Sequence, residues 1–191
     1  VLSTGRSVST LVEMLAGGRA GMLPVGEIQL LPFEMAGGDH ACGCGAPTRE
    51  CPFWTAVWRR VGPEAREIAR FREAHNRGRT LRPGAALAAF AGGRNGAVAR
   101  YGRANQRLFE AVAQAAGGAG GSAAPVLVDA SKDPWRLLWM ARSGAVDVAV
   151  VHLVRDPRGF VFSSLKGNRA RGIARALAAA RLSVRWGLAN L

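Results

Sequence analysis

The chain has 191 residues and 20.1 kDa, is 49% hydrophobic, and carries a net charge of +13 with a pI near 11.5. That hydrophobic fraction excludes a disordered chain, and no apolar run reaches the roughly 18 residues that a membrane span needs. The length suits one domain over residues 1–191, able to take roughly 70% of the unfolded chain's surface out of water.

The basic excess is arginine: only Lys132 and Lys166 are lysines among 26 basic residues. The arginines are spread along the chain rather than gathered in one segment. The expectation is therefore a general attraction for anionic ligands, with no nucleic-acid partner. The cysteines, Cys42, Cys44 and Cys51, lie within ten residues of one another, which is no disulfide framework and points to a reducing cytoplasm.

In chain order, Val1 to Ser3 reads as the tail of a strand. Ser9 to Ala16 reads as a helix with Leu11, Met14 and Leu15 on its apolar face. "MLPVGEIQLL", Met22 to Leu31, is a short extended segment. Ala36 to Trp54 is a loop dense in Gly, Cys and Pro. Amphipathic helices follow at Glu64 to Asn76, around Ile68, Ala69 and Phe71, and at Ala97 to Ala116, around Leu108, Phe109 and Val112. "GGAGGSAAP" is a flexible link. "VLVDA", Val126 to Ala130, is a strand ending in Asp, and "DPWRLLWMARSG" a helix closed by Gly144. "VDVAVVHLV", Val146 to Val154, is the strongest strand pattern. Both its faces are apolar, as in a parallel strand covered on both sides, and His152 within it reads as a buried core residue. "RDPRGFVFSSLKG" opens a helix with Pro157 in its first turn, and an Ala-rich helix runs from Ile173 to Leu191. Strands alternating with helices predict an α/β fold. The ragged ends suggest a fragment of a longer protein, lacking the start of its first strand and its C-terminal third.

In such a fold ligands bind at the carboxyl ends of the strands, where three segments fall. "STGRSVST" puts backbone amides at a helix N-terminus, with Arg6, Ser7, Ser9 and Thr10 as further donors. That suits an anion, although a plain N-capped turn reads the same way. The second Gly and the Lys of a P-loop are missing, which argues against a nucleotide triphosphatase. "VRDPRGFVFSS" puts Arg155 before a second helix N-terminus, suited to a phosphate dianion, or else paired locally with Asp156. "VDASKDP" carries Lys132, a compact ammonium in an arginine-rich chain. Glu27 stands beside the apolar stretch "IQLLPF". Such a wall raises a carboxylate's pKa and suits it to act as general base, the plainer alternative being a surface pair with an arginine.

These segments resemble the sulfotransferases that use 3′-phosphoadenosine 5′-phosphosulfate, in particular bacterial members and the tyrosylprotein and carbohydrate branches. "GRSVSTLVEMLAG" is similar to the family's 5′-phosphosulfate loop and "LVRDPRGFVFSS" to its 3′-phosphate motif. "VGEIQ" and "DASKDP" resemble the segments carrying its catalytic Glu and its sulfate-bridge Lys, and "CGCGAPTRECPFW" recurs in bacterial members. The resemblance implies a P-loop-like three-layer fold, a central parallel sheet flanked by helices, here incomplete. It implies donor contacts from Arg6, Ser7, Val8, Ser9, Thr10, Arg155 and Ser163, and catalysis by Glu27, Lys132 and Arg6 without a metal. The acceptor would be a hydroxyl of a carbohydrate, small metabolite or peptide. Val8 departs from the pattern, since it stands where the loop usually has Gly, and a β-branched residue disfavours φ > 0 there.

Two other functions fit the residues. A phosphotransferase with a degenerate P-loop would require Mg²⁺, and a basic polyanion-binding module would lose its ligand steeply with salt. His40, Cys42, Cys44 and Cys51 make a donor set for zinc. The tight Cys-x-Cys spacing, with no second paired cluster, favours instead a structural loop with reduced thiols or an oxidised pair.

Overall fold

The computed structural model describes residues 2–3, 8–38, 40–75, 96–117, 125–165 and 173–190. Helix makes up 66% of these residues and strand 7%. The expected three-layer architecture with a central parallel sheet is not what forms.

The centre is helix on helix. Helix α3 (Pro52–Val61) starts with a proline at its first position, where a missing N–H costs nothing, and stops at Gly62 with φ 59°. Helix α4 (Glu64–His75) buries Ala65, Ile68 and Phe71, one face at a spacing of three. Helix α5 (Gly96–Ala115) buries a continuous stripe through Val98, Tyr101, Asn105, Leu108 and Val112. Helix α6 (Pro134–Ser143) is framed by its sequence. Asp133 accepts from the amides of Trp135 (2.9 Å) and Arg136 (3.2 Å), Pro134 occupies the first turn, and Gly144 ends it at φ 63°. Phe71 stacks on Tyr101 with ring centroids 4.2 Å apart and meets Trp139 edge-on at 5.9 Å, which ties α4, α5 and α6 together.

The strands are short and form two separate parallel pairs. β1 (Leu2–Ser3) pairs with β4 (His152–Leu153), and β2 (Met22–Pro24) pairs with β3 (Val126–Val128), with Leu23 opposite Leu127. Among the described residues no ladder joins the two pairs into one sheet. After β2 the chain does not stay extended to Leu31; it turns through a 3₁₀ turn (Ile28–Leu30) into helix α2 (Leu31–Met35).

The segment Val146 to Val154 departs furthest from expectation. Only His152 and Leu153 pair, His152 is exposed, and Val148, Val150, Val151 and Val154 are 43–55% exposed. A two-faced apolar strand needs a layer on each side, whereas α3 to α6 pack on one another and α1 packs on β2 and β3. Helix α1 (Ser9–Gly17) is likewise inverted. Leu11, Met14 and Leu15 are exposed, while Ser9 and Glu13 turn inward. Helices α7 (Pro157–Leu165) and α8 (Ile173–Asn190) pack on each other beside β4. Among the described residues no helix is long and apolar enough to cross a membrane.

Candidate functional site

The carboxyl ends of β2 and β3 lie side by side. The ladder continues past the strands, with Val25 N donating to Val128 O (3.1 Å) and Ala130 N to Gly26 O (2.9 Å). Gly26 takes φ +65°, a turn that an L side chain resists, and aims Glu27 at the opposite strand end. There Lys132 Nζ donates to Glu27 Oε1 in an ion pair spanning 105 residues of sequence. The ammonium-bearing side chain is 17% exposed and the carboxylate 40%. Glu27 thus stands on the rim of the apolar segment that follows it, and among the described residues its ion-pair partner is a lysine rather than an arginine. Lys132 itself sits at φ 57°, a left-handed conformation costing roughly 1–2 kcal/mol for a residue with a Cβ. Such outliers persist where the surroundings dictate them.

What dictates this one is a polar network rooted in the helical core. Gln29 reaches across with Nε2 to Ser131 O (2.7 Å), and its amide donates to Ser131 Oγ (3.3 Å). Ser131 N and Oγ both donate to Asp129 Oδ1, and Asp129 Oδ2 accepts from Arg136 Nε at 3.1 Å. Arg136 is 3% exposed and donates from one terminal nitrogen to Tyr101 Oη (2.9 Å) and Asn105 Oδ1 (2.7 Å) on α5. Burial works against its charge, but Asp129 and Tyr101 outweigh it and hold the guanidinium above its ordinary pKa. On the other side Glu13, 7% exposed, accepts the Gly26 amide. Desolvation pushes its carboxyl up, against the pull of that amide and with the push of Asp129. Glu13 and Arg136 are absent from the sequence-derived residues. The available signal for Glu13 was its spacing of four from Ser9, a polar face on an otherwise apolar helix.

Of the expected donor loop, Arg6 and Ser7 lie outside the described residues. Val8 precedes α1 at φ 68° and ψ 17°, its carbonyl accepting from Leu11 N (3.0 Å) and Val12 N (3.3 Å); Ser9 is buried and Thr10 exposed. Val8 therefore adopts the left-handed geometry for which glycine is suited. At the second expected subsite, the Arg155 guanidinium lies over the first turn of α7, 2.9 Å from where a Cβ on Gly159 would stand. Its carbonyl accepts from Trp186 Nε1 on α8 at 2.9 Å. Asp156 does not pair with Arg155 there. It accepts from the Arg158 amide (2.8 Å) and guanidinium (2.8 Å), which lower its carboxyl to about 2. Ser163 is half-buried on the same helix.

A cleft of about 580 Å³ opens from Glu27 toward the cysteine loop, between Ile28, Leu31, His40, Cys42, Phe53 and Trp54. One wall is a tight turn: Cys42 N donates to Ala46 O (2.7 Å), Gly45 N to Cys42 O (2.8 Å), and Ala41 bridges Pro47. The turn brings the sulfurs of Cys42, Cys44 and Cys51 within 4.8 Å of one another. Burial pushes the Cys42 thiol up. Burial also works against the Cys51 thiolate, but the Trp54 amide and the neighbouring thiols outweigh it and lower that thiol's pKa. His40 turns its imidazole to Glu34 instead, Nδ1 to Oε1 3.6 Å.

No protein-family model, curated protein or solved structure matches this chain.

Proposed function

We propose that the chain transfers a sulfuryl group from 3′-phosphoadenosine 5′-phosphosulfate to an acceptor hydroxyl. The observation that supports this reading best is the contact between Glu27 and Lys132 at two adjacent parallel strand ends, on the rim of a cleft with apolar walls. In-line sulfuryl transfer needs a base for the acceptor proton and a cation for the leaving oxygen, and these two side chains supply one of each. Glu27 takes the hydroxyl proton as the acceptor oxygen bonds to sulfur. The bond from sulfur to the 5′-phosphate oxygen breaks, and Lys132 offsets the charge growing on that oxygen, releasing adenosine 3′,5′-bisphosphate. The Asp129–Arg136 network and the Glu13–Gly26 contact hold both groups in register. Arg6, Ser7, Val8, Ser9 and Thr10 take the phosphosulfate in this reading, and Arg155 and Ser163 take the 3′-phosphate.

The test is Glu27→Gln, assayed with radiolabelled donor against a panel of hydroxyl acceptors. Binding of adenosine 3′,5′-bisphosphate stays nearly intact, and transfer falls by roughly 10²–10⁴-fold. Transfer at the wild-type rate excludes Glu27 as the base. A strict Mg²⁺ requirement with phosphoryl rather than sulfuryl transfer replaces the reading altogether.

A further inference from the structure

The cysteine loop is a separate feature that the transfer chemistry does not use. Cys42, Cys44 and Cys51 are intermediate, exposed and buried respectively, yet their sulfurs converge to within 4.8 Å of one another. The backbone that gathers them is fixed by hydrogen bonds at every step. Cys42 is tied to Ala46 and Gly45, Thr48 donates from both N and Oγ1 to His40 O at 3.0 Å, and Cys51 N donates to Pro47 O at 3.0 Å. Gly45 takes φ +88°, which lets the turn close.

We propose that Cys42, Cys44 and Cys51 form a three-thiolate site for a soft divalent metal, with zinc as the ion that suits it. Four-coordinate zinc with Zn–S bonds of about 2.3 Å places its sulfurs roughly 3.8 Å apart. The three sulfurs, all within 4.8 Å of one another, reach that spacing by closing at most about 1 Å. A disulfide engages two of three converging thiols and leaves the third without a use; a metal engages all three. The exposed Cys44 gives the ion its way in and leaves the fourth position to water or another exogenous ligand. Binding releases the thiol protons, so affinity rises with pH. The metal links the Ala41–Pro47 turn to the start of α3 and fixes the wall of the cleft that Glu27 faces.

The experiment uses the whole chain, reduced with a phosphine and freed of metal by chelation. Co²⁺ is added as the spectroscopic probe, then displaced by Zn²⁺. One equivalent of Co²⁺ gives a near-ultraviolet thiolate charge-transfer band with tetrahedral visible bands, and Zn²⁺ abolishes both. Zn²⁺ also raises the thermal unfolding midpoint of the wild-type chain, and chelation reverses the rise. Cys44→Ser removes the exposed sulfur with little effect on packing. It weakens Zn²⁺ binding by at least about 100-fold, the upper end of what losing a merely supporting group costs, while circular dichroism stays unchanged. A fully reduced chain that shows no charge-transfer band overturns the proposal. So does a cobalt spectrum that Cys44→Ser leaves intact, or a Zn²⁺ addition that leaves the unfolding midpoint where it was.

Discussion

The two parallel strand pairs end in different surroundings. At β2/β3 the carboxyl ends are tied to the core by Gln29–Ser131, by Ser131–Asp129, and by a buried Arg136 that reaches Tyr101 and Asn105 on α5. Among the described residues at β1/β4, an indole of α8 bonds the Arg155 carbonyl, Asp156 pairs with Arg158 in solvent, and the valines leading into β4 are half exposed. The residue pattern promises a ligand site at both places. At the first, the described side chains are held by buried partners, the condition under which a site keeps its geometry before the ligand arrives.

The largest expected effect breaks that contrast at its root. Arg136→Met leaves the Asp129 carboxylate, the Tyr101 hydroxyl and the Asn105 carbonyl without their shared donor. Losing one member of a buried charged pair costs about 3–5 kcal/mol, readable as a lower urea midpoint. Arg158→Gln removes the corresponding exposed pair at β1/β4 and moves the midpoint only slightly. The signature there is a proton titration. The Asp156 carboxyl, at about 2 in the intact pair, returns toward 3.8. Its folded pKa is depressed, so its small contribution is present above pH 3.8 and fades as pH falls through 2. Equal loss of stability in the two variants abolishes the distinction.

Packing gives the next effect. Ile68 is 1% exposed in the α4–α5 interface and Val151 is 55% exposed before β4. Ile68→Ala costs about 2–5 kcal/mol, whereas Val151→Ala stays within about 0.5 kcal/mol. A Val151 variant that unfolds as readily as the Ile68 variant shows the segment before β4 buried after all.

Glu13 sharpens the comparison through pH. Glu13→Ala leaves the Gly26 amide without its acceptor and costs about 1–3 kcal/mol. Glu13→Gln keeps an acceptor and removes the buried charge. The folded pKa of Glu13 is raised, so its favourable contribution is complete below the unfolded value of 4.5 and is lost as pH rises through the folded pKa. The wild type therefore gains on the Gln variant as the solution is acidified and loses ground toward neutrality. Parallel stability curves across that range place the Glu13 carboxyl in water.

The legible part of the fold was its helices. Ile68 and Phe71 on α4, and Leu108 and Val112 on α5, repeat at helical spacing, and α6 announces itself by Asp133, Pro134 and Gly144. The sheet that the sequence suggests does not form, because an apolar run says what a segment tolerates, not whether a neighbour arrives to cover it, and nothing local to Val146–Val154 supplies that neighbour. Helix α3 was hidden because Pro52 and Cys51 resemble loop composition, although Pro at a first helical position is a start signal. The Glu27–Lys132 contact spans 105 residues and no reading of the sequence pairs the two: the resemblance gives each a separate role, and the neighbours of Glu27 offer an apolar wall or an arginine. Arg136 was illegible for the opposite reason: it is buried, but among 26 basic residues nothing in the sequence marks it as folding inward.

The smallest effect concerns the turn that opens α1. Val8 holds φ 68° and ψ 17° and is 43% exposed, so it bears a left-handed backbone with little burial in return. The left-handed region costs a residue with a Cβ roughly 1–2 kcal/mol, and glycine escapes that cost while losing about 0.5–1 kcal/mol more chain entropy on folding. Val8→Gly therefore stabilises the chain by about 0.5–1 kcal/mol, seen as a small rise in the urea midpoint. Under the proposed function the same change also removes a side chain from the path of an anion approaching the amides at the start of α1. Adenosine 3′,5′-bisphosphate should bind several-fold more tightly, without a matching gain for adenosine 3′-phosphate, which lacks the 5′ group. A stabilised variant with unchanged affinity means that this turn does not hold the 5′-phosphosulfate. A destabilised one means that the valine side chain makes contacts that the left-handed turn depends on.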